Sequence, residues 1–99
     1  MARFDELIHQ PVRLRIMAAL YALEPDAEID FLTLRDLLRV TDGNLATHLR
    51  KLEDAGYVAV RKTFVGRRPR TYLALTERGR QAFAEHVQAL RDILDAAGE

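Results

Sequence analysis

The stretch "LTLRDLLRVTDGNLATHLRKLEDAGYV" (Leu32–Val58) decides the fold. With Phe31 just before it, its first part places Leu34, Leu37 and Leu38 at helical spacing, over "FLTLRDLLR". After a break at Val40, Leu45, Leu49 and Leu52 recur at i, i+4 and i+7, one apolar stripe on a second helix. Thr41 is a natural N-cap for it, because its hydroxyl can accept from a first-turn amide. Asp42 sets negative charge at the positive end of the helix dipole. Gly56 stands where a left-handed residue closes a helix. The pattern predicts a helix from about 42 to 55. For the preceding helix, Asp30 and Thr33 are both candidate caps.

Two short helices joined by a tight turn form a helix-turn-helix, whose second helix enters the DNA major groove. That helix needs one face for the core and one for base edges. Opposite the leucine stripe, at 100° per residue, lie Asn44, Thr47 and Lys51, flanked by His48 and Arg50. Asn pairs bidentately with adenine, and Lys or Arg addresses guanine or phosphate. Gly43 lets the helix start approach DNA closely, and a helix N-terminus attracts phosphate. The same pattern also fits the solvated face of any amphipathic helix, so this helix alone leaves both readings open.

The next segment weighs in. "YVAVRKT" and "RTYLALT" are rich in β-branched, aromatic and alternating residues and read as strands, with "FVGRRP" as the hairpin loop. Between Val60 and Leu75 stand Arg61, Lys62, Arg67, Arg68 and Arg70 without one acid. Solubility asks for mixed charge, not one sign. Arg67, Arg68 and Arg70 are expected to reach a minor groove or adjacent phosphates, with Gly66 and Pro69 shaping the tip. Val58, Val60, Leu73 and Leu75 would anchor the strands. Arg61 and Lys62 lie further down, and read either as phosphate contacts or as shields of the sheet edge.

Helices bracket this centre. In "FDELIHQPVRLRIMAALYAL", Leu7, Ile8, Val12, Ile16, Ala19, Leu20 and Leu23 keep helical spacing, and Pro11 either kinks the helix or opens a second one. "EPDAEID" reads as a polar loop. Thr76 caps a final helix in which Phe83, Val87, Leu90, Leu94 and Ala97 step by four, three, four and three. That stripe either folds back on the first helix of its own chain or pairs with a second copy. Pairing is the expectation, with Phe4, Leu7 and Ile8 joining Phe83, Val87, Leu90 and Leu94 in the interface.

The chain has 99 residues and is 48% apolar, the size and composition of one globular domain. Its zero net charge hides an asymmetry. Residues 1–30 hold three basic and six acidic groups, residues 31–75 nine and four, residues 76–99 three and five. A polyanion would meet the middle. There is no cysteine, which removes disulfides and thiolate metal sites and predicts a cytoplasmic protein. No apolar run approaches a membrane span, and residues 1–20 do not read as a signal peptide. His9, His48 and His86 fall on three helices without ligand spacing, so no metal is expected. His9 and His86 are expected at the surface or in an interface. No nucleophile–base pair or glycine-rich phosphate loop points to an enzyme, and no cofactor is expected.

These pieces carry a resemblance. "PVRLRIMAAL", "LTLRDLLRVTDGNLATHLRKLEDAGYV" and "KTFVGRRPRTYLALTERGRQAF" together resemble the short bacterial and archaeal winged-helix regulators of the MarR/ArsR superfamily, over most of residues 8–85. The resemblance implies an α+β fold: a mainly helical winged helix-turn-helix with a small β-hairpin. It also implies a homodimer on pseudo-palindromic double-stranded DNA. Asp42–Lys51 would form the recognition helix and residues 64–70 the wing tip. The DNA-facing set is then Thr41, Asp42, Gly43, Asn44, Thr47, His48, Arg50, Lys51, Lys62, Arg67, Arg68 and Arg70. One domain, 1–99, would comprise a helix-turn-helix (31–55), a wing (57–75) and a dimerisation helix (76–97). A two-fold dimer would set its recognition helices roughly 34 Å apart, one DNA turn. Metal-sensing members use cysteine or clustered histidine, which this chain lacks. Larger members bind aromatic effectors, which this shorter chain permits but does not imply. The rival function is a protein-interaction module whose basic wing docks an acidic partner.

Overall fold

The computed structural model describes residues 2–98. Asp5 caps a single turn, α1 (Glu6–His9), by accepting from the Leu7 and Ile8 amides at 2.9 and 3.2 Å. Pro11 opens a new helix, α2 (Pro11–Tyr21), at the first-turn position where its missing N–H costs nothing. The Gln10 side chain caps it at 2.9 Å. Of the two expectations for Pro11, the second helix is the one observed.

Asp30, not Thr33, caps α3 (Phe31–Leu38), accepting from the Thr33 amide at 3.2 Å. The helix ends on Arg39 in the left-handed region, φ +56°. That conformation costs a side-chain-bearing residue roughly 1–2 kcal/mol. It makes the turn tight enough for α4 (Asp42–Asp54) to start after only Val40 and Thr41. Thr41 caps α4 through the Asn44 amide at 3.1 Å. At its far end the Gly56 amide donates to Glu53 and the Tyr57 amide to Leu52, both at 2.9 Å, a Schellman closure.

The hairpin is longer than its sequence reads. β2 (Val58–Val65) and β3 (Arg68–Leu75) pair antiparallel from Val58↔Leu75 to Val65↔Arg68. Only Gly66 and Arg67 form the turn, so the expected loop 64–69 is corrected. Gly66, at φ +64°, supplies the positive φ that the first central residue of a two-residue II′ turn requires. Pro69 lies on β3, opposite Phe64. The third strand, β1 (Ile29–Asp30), covers only Leu73 and Tyr72, so Pro69 sits on an uncovered edge. The expected polar loop "EPDAEID" thus ends in a strand.

Thr76 caps α5 (Glu77–Ala97) through the Gly79 amide at 2.9 Å. The core joins all layers: Ile8, Ile16, Met17 and Leu20, Leu34 and Leu38 of α3, Leu45, Leu49 and Leu52 of α4, Val58, Leu73, Leu75 and Phe83, whereas Leu37, expected on the apolar side of α3, is 62% exposed. Gly79 is a contact point, since a Cβ there would stand 2.1 Å from the Tyr57 carbonyl oxygen. The observed fold is the expected one, mostly helical with a small antiparallel hairpin.

Candidate nucleic-acid interface

On α4, Leu45, Leu49 and Leu52 are buried, which turns the remaining face outward. Thr41, Asp42, Gly43, Asn44, Thr47, Arg50 and Lys51 are all exposed. Two of them already have partners. Asp42 accepts from Arg35 at 2.8 Å, and Arg35 also holds Asp36 at 2.9 Å, so Asp42 ties α4 to α3. The Thr47 hydroxyl donates to the Gly43 carbonyl at 2.9 Å. Its oxygen lone pairs remain available.

His48 is not simply solvent-facing. Arg13 is buried, donating from Nε to the Leu7 carbonyl at 2.6 Å and reaching His48 Nδ1 from Nη1 at 3.0 Å. Guanidinium only donates, so Nδ1 must accept and the imidazole is neutral. Burial first, then the charges of Arg13 and Lys51, push the His48 pKa down. His48 therefore helps fix α4 on α2 and presents at most its other ring edge outward.

The register sorts the wing into two faces, because directly opposed residues point the same way. One face carries Val60↔Leu73, Lys62↔Thr71 and Phe64↔Pro69. It looks toward α4: Val60, Lys62 and Thr71 share a groove of about 270 Å³ with Ala46, Leu49, Arg50 and Glu53. The other face carries Arg61↔Tyr72, Thr63↔Arg70 and Val65↔Arg68. There Arg61 grips Glu28 with contacts of 2.8, 2.9 and 3.2 Å and lies 4.6 Å over the Tyr72 ring. The bond from Arg61 holds the Glu28 carboxyl below its ordinary pKa. Arg70 Nε stands 3.9 Å from Asp30. Arg61 is thus spoken for by β1's approach loop, and Arg70 is partly neutralised. Among the described residues, Arg50, Lys51, Lys62, Arg67 and Arg68 have no carboxylate at ion-pair distance.

The expected dimer residues divide in the same way. Ile8 (0% exposed) and Phe83 (7%) belong to the chain's own core, so they offer no surface to a partner. Leu7 and Val87 pack partly on that core, and Leu90 is half-buried. Phe4 lies 4.7 Å from the His9 and His86 rings. Leu94 is 70% exposed, and Ile93, absent from the expected set, is 55% exposed. The buried residues of α5 are Gly79, Phe83, His86 and Ala89. The heptad reading followed its neighbours Val87, Leu90 and Leu94 instead.

His86 corrects the surface expectation. It is fully buried, its Nδ1 accepts from the Asp5 amide at 2.9 Å, and its Nε2 stands 3.3 Å from His9 Nδ1. Burial, then His9, lowers its pKa. The Asp5 carboxylate also accepts from the Tyr57 hydroxyl. No sequence spacing links His9 to His86; the fold brings them together. Among the described residues no group of three or more His, Cys, Asp or Glu could hold a metal ion. No helix among them is long and apolar enough to cross a membrane.

Comparison with known proteins follows the geometry. Residues 12–94 match the family of winged helix DNA-binding domains. An uncharacterized protein of Methanocaldococcus jannaschii is 38% identical over 82 residues, 83% of this chain and 86% of its own. The transcriptional regulator homologue of Pyrococcus horikoshii OT3 superposes with a TM-score of 0.84 at 31% identity, over 94% of this chain and 89% of that one. Bacillus subtilis PadR, solved in complex with operator DNA, shares the fold at a TM-score of 0.66 and 17% identity, over 79% of this chain and 48% of that one. These matches support the winged helix and do not single out the MarR/ArsR branch. With its family match spanning most of the chain, this protein belongs to the winged helix DNA-binding domain family, a family of regulators and not of enzymes.

Proposed function

We propose that this chain is a sequence-specific transcriptional regulator, acting as a cytoplasmic homodimer on a pseudo-palindromic operator. The observation that carries the reading is the free cation row, Arg50, Lys51, Lys62, Arg67 and Arg68, set beside the exposed Asn44 and Thr47. Asn44 and Lys51 read base edges in the major groove, and the wing-tip arginines hold the minor groove or its phosphates. The Pyrococcus regulator homologue and the operator-bound PadR support this reading through a shared fold. So does the resemblance of the helix-turn-helix and wing to short MarR/ArsR regulators.

Residues 31–55, 57–75 and 76–97 act as helix-turn-helix, wing and dimerisation helix of one domain. Leu90, Ile93 and Leu94 are the dimer contacts, since Ile8 and Phe83 are occupied in the core. Selection of bound fragments from random-sequence DNA tests the proposal. It should enrich a two-fold site with half-sites about one turn, roughly 34 Å, apart. Enrichment of nothing, or only of acidic proteins in a parallel capture, contradicts it.

A further inference from the structure

The wing carries an apolar tip that the cation row does not explain. Phe64 is 70% exposed and Val65 50%, although both lie within a basic hairpin. Phe64 continues the α4-facing side of β2, in line with Val60 and Lys62. It stands four residues beyond Val60, the last β2 residue on the core, a reach of about 13 Å at strand spacing. Its cross-strand partner on that face is Pro69. The pair is therefore an apolar ledge held clear of the protein body and aimed to the same side as the recognition helix.

Its surroundings name the partner. Lys62 precedes it on the same face, and Arg67 and Arg68 follow at the turn and the start of β3. Among the described residues, none of the three has a carboxylate at ion-pair distance. An apolar surface with unpaired Lys62 on its own face, Arg67 at the turn and Arg68 on the opposite face complements a polyanion with an apolar interior, which is what a duplex offers between its stacked bases. The minor groove, about 6 Å wide, is too narrow for a two-stranded ribbon but admits one side chain. Phe and Pro are among the residues that proteins insert at base steps, unstacking them and bending the duplex.

Resting on the DNA-binding reading above, we infer that Phe64 is a minor-groove wedge: with Pro69 behind it, it opens one base step in each half-site while Arg67 and Arg68 hold the flanking phosphates. The wedge makes binding depend on how easily that step deforms, so it favours pyrimidine–purine steps at positions the recognition helix never touches.

The test uses the full chain and a duplex recovered by selection, with 2-aminopurine placed in turn at each step beneath the wing. The parent should raise the fluorescence several-fold at one step per half-site and shorten the end-to-end distance read by energy transfer. F64A should lose both signals while still binding the duplex, and F64W should keep them. Phe64 is exposed, so neither change removes core packing. An F64A complex with the parent's fluorescence and bend overturns the wedge. So does F64A binding more weakly with no parental unstacking to lose, which makes Phe64 an edge contact. If the parent binds no duplex at all, the DNA-binding reading fails and the wedge with it.

Discussion

Two exposed regions of this molecule differ in kind. From α4 to the wing tip the bare surface is cationic, with five basic residues lacking acidic partners among the described residues: Arg50, Lys51, Lys62, Arg67 and Arg68. Along the last turns of α5 it is apolar where Ile93 and Leu94 stand 55% and 70% exposed. A polyanion complements the first, and a second apolar surface the second. The difference teaches that exposure assigns no partner by itself. The wing's own arginines make the same point: Arg61 is exposed, as Arg67 and Arg68 are, yet Glu28 occupies it.

The largest expected effect removes the comparison altogether. Gly79→Ala forces a Cβ against the Tyr57 backbone, 2.1 Å from its carbonyl oxygen, where no flexible side chain can yield. It should destabilise the fold by about 3 kcal/mol, read as a lower urea midpoint, since overpacking typically costs 1–3. Unchanged unfolding would show that α5 sits further from the β2 entry than the structure has it.

Next come substitutions that separate the two regions. Arg67→Ala with Arg68→Ala should weaken DNA binding across all sequences and lower the salt slope by about two, one per phosphate contact. Arg61→Ala with Arg70→Ala should do much less, because those arginines already face Glu28 and Asp30. Equal losses from both pairs would erase the distinction between the wing's free and paired arginines. Conversely, Ile93→Asp with Leu94→Asp should give monomers in sedimentation, without lowering the stability of each monomer. If the dimer persists, these residues are not its contacts.

The smallest effect is a pH dependence. His48 and His86 have pKa values lowered by burial in the folded state. The unfolded chain therefore binds more protons as the pH falls through the ordinary histidine range, so stability falls toward acid. His86 must stay neutral to accept from the Asp5 amide. His86→Asn, whose side-chain oxygen can take the Nδ1 place, should flatten the acid loss of stability seen by urea unfolding between pH 7.5 and 5. An unaltered pH profile would assign the loss to other groups.

Much of this was legible in the sequence, for local reasons. The caps at Thr41 and Thr76, the leucine stripe of α4 and the closure at Gly56 all depend on neighbours within a few residues. The hairpin was legible too, but glycine and proline drew its loop too long, because Pro69 is tolerated on a strand edge that β1 leaves uncovered. What depended on distant partners was not legible. β1 exists through its pairing with Leu73 and Tyr72, and the His9–His86 contact spans 77 positions. In α5, Phe83, Val87, Leu90 and Leu94 repeat like a coiled coil, a pattern that does not tell core positions from exposed ones. The chain's own core nonetheless takes Phe83 together with His86 and Ala89. In the candidate site, the polar row of α4 was readable from periodicity. The engagement of Asp42 by Arg35, of His48 by Arg13 and of Arg61 by Glu28 needed three dimensions.

The central claim, that the cation row reads DNA, is tested most directly by titrating salt against the parent chain on a selected duplex and on a scrambled duplex of equal length. The account predicts affinity for both that falls linearly in log–log form as salt rises, with the selected duplex keeping a lead of at least roughly 10³. Binding that ignores salt, or that treats the two duplexes alike, contradicts it.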